Sequence, residues 1–226
     1  MTKYIDAHCH TSDNPILLNV GAVYNATRPS DWFEIMGAVD VGADIYGAVG
    51  VHPWFVSDLP TDWVGTLRDI LINNPCLHIG EIGLDKFKPD LNTQISVFET
   101  QIRMACELER GVSLHCVGAW DKVLHILKTN QNKLPRFILS HGHTGSALDI
   151  PEMAERYNMY FSYGPRNLQN VARLHATPLT RIIAETDSKN PNDVIIVVNK
   201  IAEILDVAPE KMADIIYANT IRMLKK

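Results

Sequence analysis

The chain has 226 residues, of which 46% are hydrophobic and 21% charged, and a formal net charge of −5. That composition excludes a disordered, collagen-like or membrane-spanning protein, and the length admits one large domain or two small ones. The mildly acidic balance argues against gripping nucleic acid by bulk positive charge.

The chain opens Met1-Thr2-Lys3-Tyr4-Ile5-Asp6 with no apolar stretch long enough for a signal peptide. Short apolar runs at 4–7, 22–25, 45–51, 77–80, 112–115, 136–139, 159–162 and 181–184 read as strands. Between the fourth and fifth, Ile95, Phe98, Ile102, Ala105 and Leu108 fall three or four apart and paint one helical stripe, with Asn92 as its cap. Val123, Ile126 and Leu127 do the same after the fifth strand. After the eighth, Val194, Val197, Val198, Ile201 and Leu205 repeat the pattern, and Pro209 starts a last helix carrying Met212, Ile215, Ile216 and Ile221. Strand–helix alternation implies a parallel sheet with helices outside, and eight strands predict a closed (β/α)8 TIM barrel, one domain over 1–226. No glycine-rich phosphate loop follows the first strand, which argues against an open doubly wound sheet. The cysteines at 9, 76, 106 and 116 form no C-x-x-C pair. Cys76, Cys106 and Cys116 read as small core residues of a reduced, cytoplasmic protein.

In a parallel barrel the chemistry sits at the C-terminal ends of the strands. The first strand ends His8-Cys9-His10, and residues two apart on a strand point the same way. Both imidazoles can then face the barrel axis while Cys9 faces the helices. His52 follows the third strand, Glu81 the fourth, His115 the fifth, His141 the sixth and Asp187 the eighth. His78, His125 and His175 fall elsewhere. This rim cluster holds more nitrogen and oxygen ligands than one catalytic zinc takes, about three plus water. Two divalent cations fit it better, with a carboxylate such as Glu81 between them and Asp187 as a ligand and proton acceptor. Mixed imidazole and carboxylate ligands suit zinc, manganese, cobalt or nickel, and magnesium less well. No Cys or Ser of this set has a nucleophile-and-base context, so covalent catalysis is disfavoured.

The motifs also come in a recognisable order. Asp6-Ala7-His8-Cys9-His10 is followed by Gly50-Val51-His52-Pro53 and Gly80-Glu81-Ile82-Gly83-Leu84-Asp85. Then come Gln94, Phe98 and Gln101, His115, His141-Gly142-His143-Thr144-Gly145, Glu185-Thr186-Asp187, and Asn219 with Arg222. This set resembles the TatD family of metal-dependent hydrolases, within the amidohydrolase-like barrels. The resemblance implies a divalent metal centre and phosphodiester hydrolysis, often of DNA from the 3′ end. It implies His8, His10, Glu81, His115, His141 and Asp187 as metal ligands, with Glu81 in the bridging place and Asp187 and Glu81 as the catalytic pair. It puts His52 and His143 beside the site as substrate-binding residues, although His52 also reads as a structural turn before Pro53. Gln94 and Gln101 read equally well as pins between helix and loop. The chain departs from the family pattern at Val117 (usually arginine), His143 (usually an aromatic) and Lys189 (usually proline).

Three alternatives stand beside this reading. His8-Cys9-His10-Thr11-Ser12-Asp13 also resembles the opening of the PHP phosphoesterases, whose closing Asp-x-His is missing near residue 187. Another amidohydrolase-type enzyme on the same barrel is the second, and a non-catalytic metal-binding scaffold the third. The expected partner is DNA or another phosphodiester, with no membrane and no obligate protein partner. Phosphate is expected to meet bound metals and local cations such as Lys86, Lys88, Arg166 and Lys189.

Overall fold

The computed structural model describes residues 2–11, 15–130 and 133–225. Ser12 and Asp13 of the opening motif therefore lie outside the described residues. Eight strands occur in chain order: β1 (Tyr4–Cys9), β2 (Val20–Asn25), β3 (Ile45–Val49), β4 (His78–Asp85), β5 (Val112–Val117), β6 (Ile138–Ser140), β7 (Met159–Tyr163) and β8 (Ile182–Ala184). Each is hydrogen-bonded to the next in parallel, giving the sheet order β1 to β8 of a nearly closed TIM barrel. The seam is held just past the end of β8. There the Asp187 N–H donates to the His8 carbonyl at 3.0 Å and the His10 N–H to the Ser188 carbonyl at 2.9 Å. The buried Asp6 carboxylate adds bonds from the Thr186 N–H at 3.0 Å and the Thr186 hydroxyl at 2.5 Å.

The helices are α1 (Trp32–Ala38), α2 (Trp63–Asn73), α3 (Leu91–Glu107), α4 (Trp120–Thr129), α5 (Ile150–Arg156), α6 (Val171–Ala176), α7 (Val194–Leu205) and α8 (Pro209–Lys225). None among the described residues is long and apolar enough to cross a membrane. Strands buried on both faces need two cores, and the chain supplies them. Outward strand residues such as Val49, Leu84 and Leu114 pack with Phe98, Ile102, Val123, Val197 and Ile201 of the helices. Inward residues Ile5, Val23, Tyr46, Leu139, Tyr160 and Ile183 form a second cluster, which Met223 and Leu224 of α8 join. Burying each such side chain contributes about 1.5–3 kcal/mol.

Three local expectations are corrected. Asn92 does not cap α3: it is exposed inside the first turn, and Asp90, with φ 59°, precedes the helix. Cys76 is exposed, whereas Cys106 and Cys116 are buried. The fourth strand continues to Asp85, because a register shift between Ile79 and Ile82 lets pairing with β5 resume.

That irregularity and its twin in β1 aim the site. Ile5 and Ala7 pack inside the barrel, so strict alternation would send His8 outward and Cys9 inward. The register shifts between Asp6 and Cys9, and Cys9 joins the outer core instead. In β4, Ile79 and Ile82 both pack outside although three apart, which turns Glu81 to the axis.

Candidate functional site

Glu81 is the centre of the rim cluster. Its Oε1 lies 2.8 Å from His115 Nδ1, 2.9 Å from His141 Nε2 and 3.2 Å from His52 Nε2, and its Oε2 lies 3.3 Å from His8 Nε2. Burial pushes this carboxyl up, but the charges of His141, His52 and His8 and the His115 hydrogen bond outweigh it. They hold Glu81 well below the usual carboxylate range. The His8 and His141 rings stack at 3.9 Å, so β1 and β6 present parallel imidazoles to the same carboxylate. Asp187 faces the cluster from β8, its Oδ1 3.5 Å from His10 Nε2 and 3.9 Å from His8 Nε2. Its Oδ2 accepts from the Arg166 guanidinium at 2.7 Å.

Two imidazoles are aimed by a hydrogen bond at the far nitrogen, and a third has a carboxylate beside it. His8 Nδ1 meets the Ser113 hydroxyl at 2.9 Å, His10 Nδ1 the Asn25 carbonyl at 3.1 Å, and His141 Nδ1 lies 3.5 Å from Glu185 Oε1. Such partners orient metal-ligating histidines in general. Glu185 in turn accepts a short hydrogen bond from Ser162. His52 accepts the Trp54 N–H on Nδ1 at 3.2 Å, so its proton sits on Nε2, toward Glu81. Its turn role and its site role are thus carried by opposite sides of one ring.

Loops after the strands are fixed by α3. Gln101 is fully buried; its Oε1 accepts the Val51 N–H at 2.8 Å and its Nε2 donates to the Val51 carbonyl at 3.2 Å. The residue before His52 is thereby clamped. Gln94 accepts the Asp85 N–H at 2.9 Å and donates to the Asp85 and Pro89 carbonyls at 3.2 and 2.9 Å. Gly83 explains its place in the motif. Its φ is +153°, and a Cβ there would lie 1.8 Å from the His115 carbonyl oxygen, so β4 and β5 could not close beside the cluster.

The donor set suits divalent cations. Ligand atoms of His8, His10 and Asp187, of His8, Glu81 and His141, and of His52, Glu81 and His115 each lie within 4.8 Å of one another. His8 Nε2, which faces Glu81 Oε2 at 3.3 Å, is buried without a hydrogen-bond partner among the described residues. Leaving such an atom orphaned is costly unless something coordinates it. The protonation pattern agrees in part. Burial holds His8 below its usual value, in the neutral form a cation needs, and holds His52 down as well. Burial also opposes protonation of His141, but Glu81 and Glu185 hold it well above its usual value, and a cation would have to displace that proton.

The structure brings His8, His10, His52, Glu81, His115, His141 and Asp187 together and leaves His143 out. The His143 side chain is fully buried, bonded to the Ser140 hydroxyl at 2.8 Å and packed against Trp120 and Phe161 at 4.8 and 4.9 Å. Burial holds it down to about 3, so it is a neutral wall residue, and it lines neither cavity of the cleft. The turn at Gly142, with φ +49°, breaks strand alternation between His141 and His143 and sends the two side chains apart. The motifs missed Arg28, Trp54 and Ser113, and included Glu185 without giving it a role. Only Arg28 and Trp54 carry a signal, since both follow strand ends on the rim.

Comparison with known proteins extends these observations. The model of a family described as TatD-related DNase matches residues 5–225. An uncharacterized metal-dependent hydrolase of Methanocaldococcus jannaschii is 25% identical over 254 aligned positions, covering 99% of this chain and 98% of that protein. A protein of Pantoea ananatis named 3′-5′ ssDNA/RNA exonuclease TatD is 30% identical over 154 positions, covering 63% of this chain and 57% of its own length. A solved TatD homologue from Escherichia coli K12 shares the fold, with a TM-score of 0.87 at 22% identity over 100% of this chain and 99% of its own.

Proposed function

This chain belongs to the TatD-related DNase family, and on that premise we propose that it is a cytoplasmic, single-domain hydrolase that cleaves phosphodiester bonds of DNA from a strand end. The observation that carries the reading is Glu81, one ionised carboxylate facing four imidazoles with Asp187 across the cleft. Two divalent cations, of zinc, manganese, cobalt, nickel or magnesium, are the cofactors proposed. His8, His10, Glu81 and Asp187 would hold one, and Glu81, His115 and His141 the other. When bound, such cations polarise a phosphodiester and acidify the attacking water.

The chain's own groups supply the rest. Asp187 is held below its usual value: burial opposes this, and the His10 bond and the His8 and His141 charges outweigh it. It is therefore ionised at neutral pH and able to accept a proton from water. His52 presents Nε2–H to the cleft, a donor placed to meet a phosphate oxygen. Glu81, the second member of the catalytic pair, keeps the two halves of the ligand set on one carboxylate.

The test begins with elemental analysis of the purified protein. A 3′-end-labelled single strand is then incubated with added Mn²⁺, Mg²⁺ or Zn²⁺, with and without chelator. Shortening from the end that chelator abolishes is expected. Metal-bound protein that leaves every DNA substrate intact would overturn the DNA reading.

A further inference from the structure

The cleft over Glu81 has two chambers. One, of about 620 Å³, is bounded by segments after β5, β6, β7 and β8; the other, of about 630 Å³, by segments after β1, β2 and β3. They share His115, His141, Arg166 and Asp187. Three of these belong to the ligand cluster. The fourth, Arg166, has a side chain 82% exposed and rests on Asp187 Oδ2. Ion pairs this exposed are weak, so the guanidinium can leave the carboxylate for an entering phosphate, which it matches in geometry.

The chambers differ in chemistry. The one beyond β2 and β3 carries an aromatic platform. Trp54 is 52% exposed and lines the chamber; its plane is fixed by a 2.8 Å bond from Nε1 to Asp85 and by the Lys88 ammonium 3.9 Å over its ring, and beside it the Arg28 guanidinium lies 3.9 Å over the Phe55 ring. Aromatic faces with arginine among them are how single strands are held without sequence preference. The other chamber is lined by polar side chains such as Thr144, Gln169 and Asn170, with no Phe, Tyr or Trp among its described residues. Each volume is within the range of about 300–1,000 Å³ that encloses one drug-sized ligand, the size class of one nucleotide.

Resting on the phosphodiesterase reading, we propose that the cleft binds two consecutive units of a single-stranded end, one in each chamber, with Arg166 at their wall on the phosphate that joins them. The base of one unit stacks on the Trp54 ring, beside the Arg28–Phe55 pair. Recognition then ends at the second unit, which accounts for a nucleic-acid enzyme with a net charge of −5 and no need of a wide basic groove.

The experiment uses the full chain loaded with Mn²⁺ and oligothymidylates of one to five units. A methylene replaces the bridging 3′ oxygen, so charge is kept and hydrolysis blocked. Calorimetric affinity should rise at least about tenfold from one unit to two, and less than about twofold from two to five. Arg166→Ala should remove about tenfold of the two-unit affinity, with metal content unchanged, and Arg166→Lys should restore part of it. Trp54→Ala should weaken the two-unit ligand and leave inhibition by inorganic phosphate unchanged. Affinity that climbs with every added unit, equal affinity for one and two units, or wild-type binding by Arg166→Ala would overturn the two-unit site while sparing the phosphodiesterase reading. No binding at any length would overturn both.

Discussion

At the scale of single residues, the cleft depends on what the two sides of a small side chain face. Asp187 turns one oxygen to His10 and His8 and the other to Arg166. Its φ of 50° is a left-handed conformation that Asp tolerates better than most residues, and it sets that orientation. Asp187→Asn keeps the shape and loses the charge. Turnover of a labelled strand should fall about 10³-fold while the circular dichroism spectrum is unchanged. Near-wild-type turnover would remove Asp187 from the chemistry. His143 makes the opposite case. Since it is a neutral wall residue at a position where the family usually has an aromatic, His143→Phe should retain hydrolysis within about threefold. A loss of about 100-fold would return His143 to the substrate.

At the scale of elements, α3 does more than cover the barrel. Its buried face carries two glutamines among Val97, Phe98, Ile102 and Met104, and each holds a loop that leads from the site. Gln101→Leu fills similar space but strands the buried Val51 N–H and carbonyl. Urea unfolding should show a loss of about 2–4 kcal/mol. A loss below about 0.5 kcal/mol would mean that the loop before His52 holds itself. Gly83 acts between elements, where β4 passes β5. Gly83→Ala should cost about 3 kcal/mol or more in the same measurement, because the backbone of His115 stands where the methyl group must go. The sequence offered the pinning role of Gln94 and Gln101 as one of two readings, and it did not offer the role of Gly83. The motif alone could not decide between a place at the site and a pin for Gln94 and Gln101, and a glycine in a motif does not say which strand it lies against.

At the scale of the whole molecule, stability should depend on pH through a residue far from the cleft. His78 is buried against Phe137, and burial, with the Arg136 and Arg110 charges, pushes it down from 6.5 to about 3. The unfolded chain takes up that proton first as pH falls. The contribution is therefore complete above about pH 6.5 and is lost toward pH 3, by up to about 1.4 kcal/mol per pH unit. Replacing it by His78→Leu should shrink the difference in unfolding free energy between pH 7.5 and 5.0 by about 2 kcal/mol. An unchanged difference would show that His78 is not held neutral. Cation binding should also act globally. Mn²⁺ or Zn²⁺ should raise the melting temperature of the wild type, and Glu81→Ala should lose that rise together with its metal content. Metal occupancy unchanged in Glu81→Ala would remove the bridging role.

Much of this was decided by order along the chain. Strand–helix alternation determined the barrel, because period two and period 3.6 are local properties of backbone geometry. The rim rule then gathered His8, His10, His52, Glu81, His115, His141 and Asp187, because a parallel barrel puts every strand's C-terminal end on the same side. The tertiary structure alone decided which way those residues point and what surrounds them. The register shifts in β1 and β4 arise from pairing with neighbouring strands, and they turn His8 and Glu81 inward. The turn at Gly142 sent His143 into the wall, although its spacing from His141 matched that of His8 and His10. The net charge of −5 says nothing about how cations are spread, so the meeting of Arg28, Trp54 and Arg166 around two chambers depends on loops from distant parts of the chain packing side by side.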